Sequence, residues 1–254
     1  MGSLAWGAGK PGELSRAEKH RLIGNLAYVQ VREAFDATRQ RIGLLRPNVI
    51  ALDDLAPPQD GLATDALGLA EETHSQALLF HSWRTYYFGA LIAAHEGVEY
   101  DRSLFFASAI LHDVGLTKGH SPHLCERCFA LSGGERVHDF LRAKGHPPET
   151  AKEVGDAIAI HLNAWVSKRQ YGAEAHLVSR GAVCDLFGGG RRRVAKETVV
   201  QVLQRYPRGG AVEALQFETA EHLPGTRAAI MTGLTGGKAP PDPFVGVQAV
   251  GFSS

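Results

Sequence analysis

The stretch from Ser75 to His95 carries apolar residues around the whole circumference of a helix. These residues are Ala77, Leu78, Leu79, Phe80, Trp83, Tyr86, Tyr87, Phe88, Leu91 and Ile92. A helix that is apolar on every side belongs in the centre of a domain. Two polar residues, His81 and Arg84, interrupt the stretch, and because they are three residues apart they share one face. The sequence therefore predicts a central buried helix that holds a histidine and an arginine inside the protein.

Elsewhere, apolar residues recur at spacings of three and four with few clean alternations, so the fold class is predicted to be all-α. A chain of 254 residues can bury one large core, and we expect a single helical bundle. The capping-box patterns Ser15-x-x-Glu18 and Ser132-x-x-Glu135 each predict a helix start. Glycines at Gly115 and after Phe187 are expected to stop helices. The predicted helices cover 15–35, 65–72, 75–95, 104–111, 132–145, 147–161 and 174–187, with a loop over 46–60 and two or three further helices between 194 and 234.

Charge and cysteine content limit the classes of partner. Lys plus Arg and Asp plus Glu each number 27, so the net charge is zero and no nucleic-acid or membrane surface is indicated. The basic run Arg191–Arg193 is expected to be a solvated helix start. No apolar run is long enough to span a membrane, and no signal peptide is recognised. Three cysteines cannot all pair within one chain, which favours a reducing compartment. We expect a cytoplasmic protein that binds a small molecule, and a homo-oligomer is left open.

Polar residues on the inward faces of four predicted helices point to a metal site. They are His81, Arg84, His112, Asp113, His161 and Asp185. An unpaired carboxylate in such a place costs several kcal/mol, so it normally pairs or binds a metal. Two imidazoles and two carboxylates can supply four ligands and leave positions for water and substrate. Alternatives remain at single residues, since His81 alone suits a hydrogen-bonded core histidine and Asp185 could pair with Arg84 or cap a helix.

The order His, His-Asp, Asp on core helices resembles the HD superfamily of metal-dependent phosphohydrolases and related enzymes. Local strings over about residues 70–207 are closest to the cyanamide hydratase branch of that superfamily. They are His81-Ser82-x-Arg84-x-Tyr86-Tyr87, Leu111-His112-Asp113-x-Gly115-Leu116-Thr117, Ala157-Ile158-x-x-His161 and Glu174-Ala175-x-Leu177-Val178-x-x-Gly181-Ala182-x-x-Asp185-x-x-Gly188.

The resemblance implies a site and a division of the chain. The implied metal ligands are His81, His112, Asp113 and Asp185, which would hold one divalent ion, with Zn expected and Fe, Mn or Ni as alternatives. His161 would then face the substrate, and the further catalytic or substrate-binding candidates are Thr117, Arg84 and Asn163. Residues 70–207 would form the HD metal-binding core, on which an N-terminal helix and loop (1–69) pack. C-terminal helices (208–235) and an extended or mobile tail (236–254) would follow.

The segment His120-x-x-His123-x-Cys125-x-x-Cys128 has the spacing of a small zinc knot. It could equally be a lid over the substrate, with His120 as a binding residue, or plain surface. Cys184, next to Asp185, is expected to be a small core residue.

Four hypotheses of function follow. In the first, the enzyme is a hydratase or hydrolase whose metal lowers the pKa of bound water toward ~7 and delivers hydroxide to a carbon such as that of cyanamide. His161 would donate a proton to the substrate nitrogen, and Thr117 would orient the substrate. The alternative is a phosphohydrolase of a nucleotide or another phosphate ester, with Arg84 clamping the phosphate. A di-iron oxygenase would need His161 and a second extra histidine among His120, His123 and His138. A non-enzymatic binding module is disfavoured because all four expected ligands are present.

Overall fold

The computed structural model describes residues 1–47, 49–117, 124–210, 215, 221–236, 238, 241–245 and 247. Over these residues the chain forms eleven α-helices and three short 3-10 helices, and no β-strand occurs. The predicted all-α fold class is confirmed. The α-helices are α1 (Leu4–Gly7), α2 (Arg16–Arg41), α3 (Gly61–Thr73), α4 (Gln76–Glu96), α5 (Arg102–Leu111), α6 (Phe129–Ala143), α7 (Pro148–Ile160), α8 (Lys168–Tyr171), α9 (Ala173–Phe187), α10 (Lys196–Arg205) and α11 (Arg227–Leu234). The 3-10 helices are Leu52–Leu55, Val114–Leu116 and Arg191–Arg193.

Some helix ends differ from the prediction. The capping box of α2 is present as expected, with the Ser15 hydroxyl accepting from the Glu18 amide and the Glu18 carboxylate accepting from the Ser15 amide. α2 nevertheless continues beyond the predicted end at Phe35 to Arg41, because neither glycine nor proline occurs between Phe35 and Gly43. α3 begins at Gly61, four residues earlier than predicted, under a cap from the Asp60 carboxylate.

The second predicted capping box is wrong. α6 begins one turn before Ser132, at Phe129, and the Ser132 hydroxyl donates to the Cys128 carbonyl from inside the first turn. Residues 129–131 are buried, so packing against the rest of the bundle extends the helix backwards past the local signal.

α4 is the central helix and packs along α9 and α5. Its close approach to α9 depends on two glycines. A Cβ on Gly181 would collide with the Thr85 carbonyl oxygen, and one on Gly89 would lie 2.8 Å from the Leu177 carbonyl oxygen. Because the two backbones come this close, the inward face of α4 meets the inward face of α9.

Buried ion pairs attach α2 to the body, and they overturn the prediction that Arg191–Arg193 is solvated. The Arg193 guanidinium is 6% exposed and donates twice to Asp36 Oδ2 of α2, from Nη2 at 2.6 Å and from Nε at 2.9 Å. It also pairs with Glu96 at the end of α4. A run of basic residues does not show whether an acidic partner lies more than 150 positions away, so this ion pair could not be predicted from the sequence.

The described part of the predicted tail packs on the bundle. Phe244 is buried and stacks on Phe88 of α4, with ring centroids 5.4 Å apart. Asp242 accepts from Arg208 Nε at 3.1 Å. Among the described helices, none combines the length and the apolar character that crossing a bilayer requires.

Candidate metal centre

The residues of the candidate centre come from the middle of one helix and the ends of two others. His81 lies in α4, His112 is the C-terminal cap of α5, and His161 is the C-terminal cap of α7. His112 still has helical backbone angles, whereas Asp113 (φ −105°, ψ 15°) has left the helix. This change of direction lets two adjacent side chains reach the same point. α5 ends at Leu111 as predicted, but Gly115 is not its stop, since it lies inside the 3-10 helix Val114–Leu116; a side chain there would collide with the Phe129 carbonyl.

Each of the three histidines is held through its Nδ1 atom. His81 Nδ1 lies 2.6 Å from Asp185 Oδ2, His112 Nδ1 lies 2.8 Å from the Ala109 carbonyl, and His161 Nδ1 lies 2.7 Å from the Ile158 carbonyl. These carboxylate and carbonyl oxygens accept hydrogen bonds, so each ring donates from Nδ1. Nε2 is therefore the nitrogen that each ring offers to a ligand.

Two of the Nε2 atoms converge on Asp113. His112 Nε2 lies 3.1 Å from His81 Nε2 and 3.2 Å from Asp113 Oδ2, and His81 Nε2 lies 3.4 Å from that same oxygen. His161 Nε2 approaches the other carboxylate oxygen, Oδ1, at 3.6 Å. Within the described part of the chain, His81, His112 and Asp113 are the one group whose candidate ligand atoms all lie within 4.8 Å of one another. We call these three residues the ligand cluster.

Burial and mutual contact shift the pKa values of these groups. Burial works against the charge of Asp113, but His112 and His81 outweigh it and hold the pKa of that carboxyl well below its usual range. Burial also works against charge on His81, yet hydrogen bonds to Asp113 and Asp185 raise its pKa. Burial, reinforced by His112, lowers the pKa of His161 to about 3. The cluster thus contains a buried negative charge beside two imidazole rings.

A divalent cation fits this donor set. Two imidazole nitrogens 3.1 Å apart repel each other unless a proton or a cation lies between them, and the buried carboxylate adds negative charge at the same point. Imidazole and carboxylate ligands suit Zn²⁺ and several first-row transition metals. Three protein ligands leave coordination positions for water and substrate, as a catalytic site requires.

Asp185, predicted as the fourth ligand, lies on the other side of His81. Its carboxylate accepts from His81 Nδ1 and, through two bonds of 2.8 Å and 3.0 Å, from Arg84. Arg208 donates to Asp185 Oδ1 at 2.5 Å as well. Burial opposes ionisation here, but the Arg84 charge and the His81 hydrogen bond lower the pKa of Asp185. In this arrangement Asp185 orients the His81 ring, as carboxylates do behind many metal-binding histidines. Its role as a direct ligand stays a prediction.

Three other predicted site residues, Arg84, Thr117 and Asn163, form hydrogen bonds with the protein away from the ligand cluster. Arg84 is fully buried, and beyond Asp185 its Nη1 donates to the carbonyls of Tyr206 and Pro207. The Thr117 hydroxyl donates to the Val114 carbonyl at 2.8 Å and accepts from Arg136 at 3.3 Å. The Asn163 amide donates to the Met1 carbonyl and accepts from Arg227. The polar atoms of all three are engaged within the protein, so contact with substrate stays a prediction for each.

A small cavity, which we call the inner cavity, opens beside the ligand cluster. Its volume is about 90 Å³, and His161 and His222 line it together with the cluster. Apolar side chains form most of the remaining wall, among them Leu116, Phe129, Leu162, Leu186 and Leu215. No Lys or Arg occurs among the described residues that line it. The inner cavity therefore suits a small uncharged group.

Sequence reasoning missed two residues of this region. His222 Nδ1 is buried and has no hydrogen-bond partner within the described structure, and its ring lies 5.7 Å from that of Phe129. Arg208 contributes the bond to Asp185 described above. Neither residue stands in a periodic apolar segment, so no local signal could have identified it.

The predicted zinc knot or lid can be followed only in part. His120 and His123 lie outside the described residues. Cys125 is exposed, whereas Cys128 is buried where the chain passes Gly12. Cys184 is buried in the core, as expected.

Comparison with protein-family models matches residues 78–198 to the HD domain. The matched stretch contains the ligand cluster, His161 and Asp185 in the predicted order. The match supports the HD superfamily, whose members are generally metal-dependent hydrolases, and the cyanamide hydratase branch stays a prediction. A search of curated proteins found no match.

Proposed function

We propose that this protein is a metal-dependent hydratase or hydrolase that adds water to an electrophilic carbon of a small uncharged molecule. Cyanamide and other nitriles are the substrates we expect, with a urea-type or simple amide as product. The observation that carries the proposal is the inner cavity, whose described wall offers no Lys or Arg. A phosphate ester would bring negative charge that needs such partners. Arg84, the predicted phosphate clamp, is engaged with Asp185.

His81, His112 and Asp113 would hold the metal ion, with one ion per chain and zinc as the expected element. When bound, a divalent cation of this kind makes water a stronger nucleophile and polarises the substrate. The apolar wall at Leu116 and Phe129 surrounds the reacting carbon with side chains of low polarity, which strengthens the electrostatic interactions inside the cavity.

His161 is suited to move the proton. Its pKa is lowered to about 3, so the ring is neutral near neutral pH, and because Nδ1 donates to the Ile158 carbonyl, the free lone pair is on Nε2. It therefore accepts a proton from water before it can donate one, which refines the expectation that it acts as a donor. For a nitrile, the new C–O bond forms as one C–N π bond opens. The electron pair goes to nitrogen, which takes the proton from His161 Nε2, and the resulting imidic acid becomes the amide when its hydroxyl proton moves to nitrogen.

The test combines elemental analysis with a substrate panel. The purified protein is loaded with Zn²⁺ and assayed with cyanamide, short aliphatic nitriles, p-nitrophenyl phosphate and nucleoside triphosphates. We expect one metal ion per chain, amide formation from at least one nitrile, and no release of phosphate. Phosphate release without nitrile turnover would replace this proposal with the phosphohydrolase. Two irons per chain, with oxygen uptake on addition of substrate, would replace it with the di-iron oxygenase.

A further inference from the structure

A second and much larger cavity adjoins the inner cavity. This outer chamber has a volume of about 770 Å³, within the range of small-molecule binding sites. Its walls come from α2, the C-terminal end of α9, α11 and the segment Pro241–Pro243, represented by Leu26, Val29, Leu234 and Pro241. None of the sequence motifs predicted it, because its walls come from four separate parts of the chain.

Four side chains line both cavities and define the junction between them. They are Ala164, Val183, Phe187 and Met231. All four are apolar, so the two cavities lie side by side and the wall that they share carries no charge. The inner cavity has room for about three water molecules at ~30 Å³ each. A substrate larger than a few non-hydrogen atoms must therefore extend beyond the inner cavity, and the outer chamber is the adjoining space.

The backbone at the junction is held in a strained conformation. Of the described residues other than glycine, Ala164 alone has a positive φ, at 60°. The Asn25 side-chain amide of α2 donates to the carbonyls on both sides of it, Asn163 at 3.0 Å and Trp165 at 3.2 Å. A left-handed alanine costs about 1–2 kcal/mol, and such strain concentrates at ligand-binding sites. The conformation of Ala164 is therefore a second, independent observation that favours a ligand-binding site at the junction.

Charges in the outer chamber balance. The lining contains Glu33 and Asp242, together with Arg191 and Arg192. Glu33 accepts from the Gly190 amide at 2.7 Å and pairs with Arg192 at 3.5 Å. Asp242 pairs with Arg208, and Arg191 donates to the Pro243 carbonyl. This lining offers no net charge to a ligand, whereas its apolar side chains offer contact area.

We infer that the outer chamber binds the apolar tail of the substrate while its compact electrophilic end reacts in the inner cavity. The identity of that end rests on the proposed function; the tail site rests on the two adjoining cavities. The substrate class is accordingly an uncharged molecule with a small reacting group, such as a nitrile, and an aliphatic tail.

A series of alkyl hydroxamates tests this without catalysis. The hydroxamate group chelates a metal ion, and its alkyl tail can be lengthened from acetohydroxamate to decanohydroxamate. In the zinc-loaded protein we expect the dissociation constant to fall about fourfold per added methylene, equivalent to ~0.8 kcal/mol per buried CH₂. An affinity that does not rise with tail length would overturn the inference.

A bulky substitution at the junction locates the tail. In Val183→Phe the dissociation-constant ratio of acetohydroxamate to decanohydroxamate should drop at least tenfold, because the added ring narrows the passage. Val31→Phe is the matched control, since Val31 is 67% exposed on α2 and lines neither cavity. It should keep the wild-type ratio. An unchanged ratio in Val183→Phe would mean that the tail binds elsewhere.

A second measurement needs neither metal nor turnover. The chain has two methionines, Met1 and Met231, so methyl-¹³C-methionine labelling gives a signal at the junction and an internal reference. In the metal-free protein, 1-octanol should shift the Met231 signal at lower concentration than 1-butanol and leave the Met1 signal in place. Absence of a Met231 shift would overturn the tail site. If the Met231 signal shifts but hydroxamates do not bind, only the metal site is overturned. If it shifts but nitriles are not turned over, only the proposed reaction is overturned.

Discussion

Asp113 is the residue on which the ligand cluster depends, because its two oxygens face different partners. Oδ2 faces His81 and His112, and Oδ1 faces His161. We predict that Asp113→Asn, which keeps the shape but removes the charge, lowers zinc affinity by more than about 100-fold, beyond the usual cost of losing a supporting residue. Zinc content after dialysis against a competing chelator measures this. Asp139→Asn, at an exposed carboxylate on α6, is the control. Full zinc occupancy in Asp113→Asn would refute the cluster as a metal site.

His161 separates a role in catalysis from a role in metal binding. His161→Ala should keep zinc near the wild-type content and slow turnover by roughly 10²–10⁴-fold, the usual worth of a positioned acid–base group. His138→Ala removes a half-buried histidine of α6 and should leave both quantities unchanged. If zinc and turnover fell together, His161 would be a ligand. If only the melting temperature fell, it would be a structural core residue.

The sequence could predict which residues form the centre but not every contact they make. His81, His112 and Asp113 were identifiable because polar groups on apolar helical faces are costly unless they share a partner. The contacts of Asp185 could not be predicted, since residue spacing cannot decide whether its carboxylate contacts a metal ion or the Arg84 guanidinium. Both alternatives satisfy a buried charge. The crossing of α4 and α9 brings the Asp185 carboxylate to His81 and Arg84, and its role as a metal ligand stays a prediction.

At the scale of elements, the crossing of α4 and α9 brings Asp185 to His81. Gly181→Ala should push the helices apart, because the new methyl group meets the Thr85 carbonyl. We expect a loss of about 3 kcal/mol in the free energy of unfolding, at the upper end for an overpacked core. Gly68→Ala in α3 is the matched control: the site is exposed, a Cβ there meets nothing within 4 Å, and stability should rise by about 0.5–1 kcal/mol. Urea denaturation measures both changes, and equal effects would contradict this account.

Helix existence was predictable from periodicity, whereas helix ends depended on packing. The capping box at Ser15 predicted a real helix start because that end of α2 is exposed and only local hydrogen bonds decide it. The same pattern at Ser132 failed because residues 129–131 are buried and extend α6 past it. A local signal is decisive only where tertiary contacts do not compete with it.

At the scale of the whole molecule, the structural features that could not be predicted from the sequence join distant parts of the chain. The Arg193–Asp36 pair and the outer chamber each combine segments more than 150 residues apart. Periodicity describes one segment at a time, so it predicts faces and not which faces meet. The outer chamber follows from how α2, α9 and α11 meet, and the inner cavity from how α9 and α11 meet the ends of α5 and α7.

The pH dependence of the free energy of unfolding sums contributions from the whole molecule. The contribution of one histidine, His74, can be measured separately. His74, the C-terminal cap of α3, has a buried Nε2 with no hydrogen-bond partner in the described structure, and burial lowers its pKa to about 4 from 6.5. Since the unfolded chain binds the proton more tightly, the stability that neutral His74 provides is present above pH 6.5 and is lost as the pH falls toward 4.

Between pH 7 and pH 5 this loss amounts to about 2 kcal/mol. Other histidines titrate in the same range. His161 acts in the same direction, whereas His81, whose pKa is raised, acts in the opposite one. The difference between wild type and His74→Gln therefore isolates the contribution of His74. Urea denaturation of both proteins at the two pH values, with metal removed by chelation, should show a smaller drop in the variant by about 2 kcal/mol. Equal drops would mean that His74 takes up its proton in the folded protein as easily as in the unfolded chain.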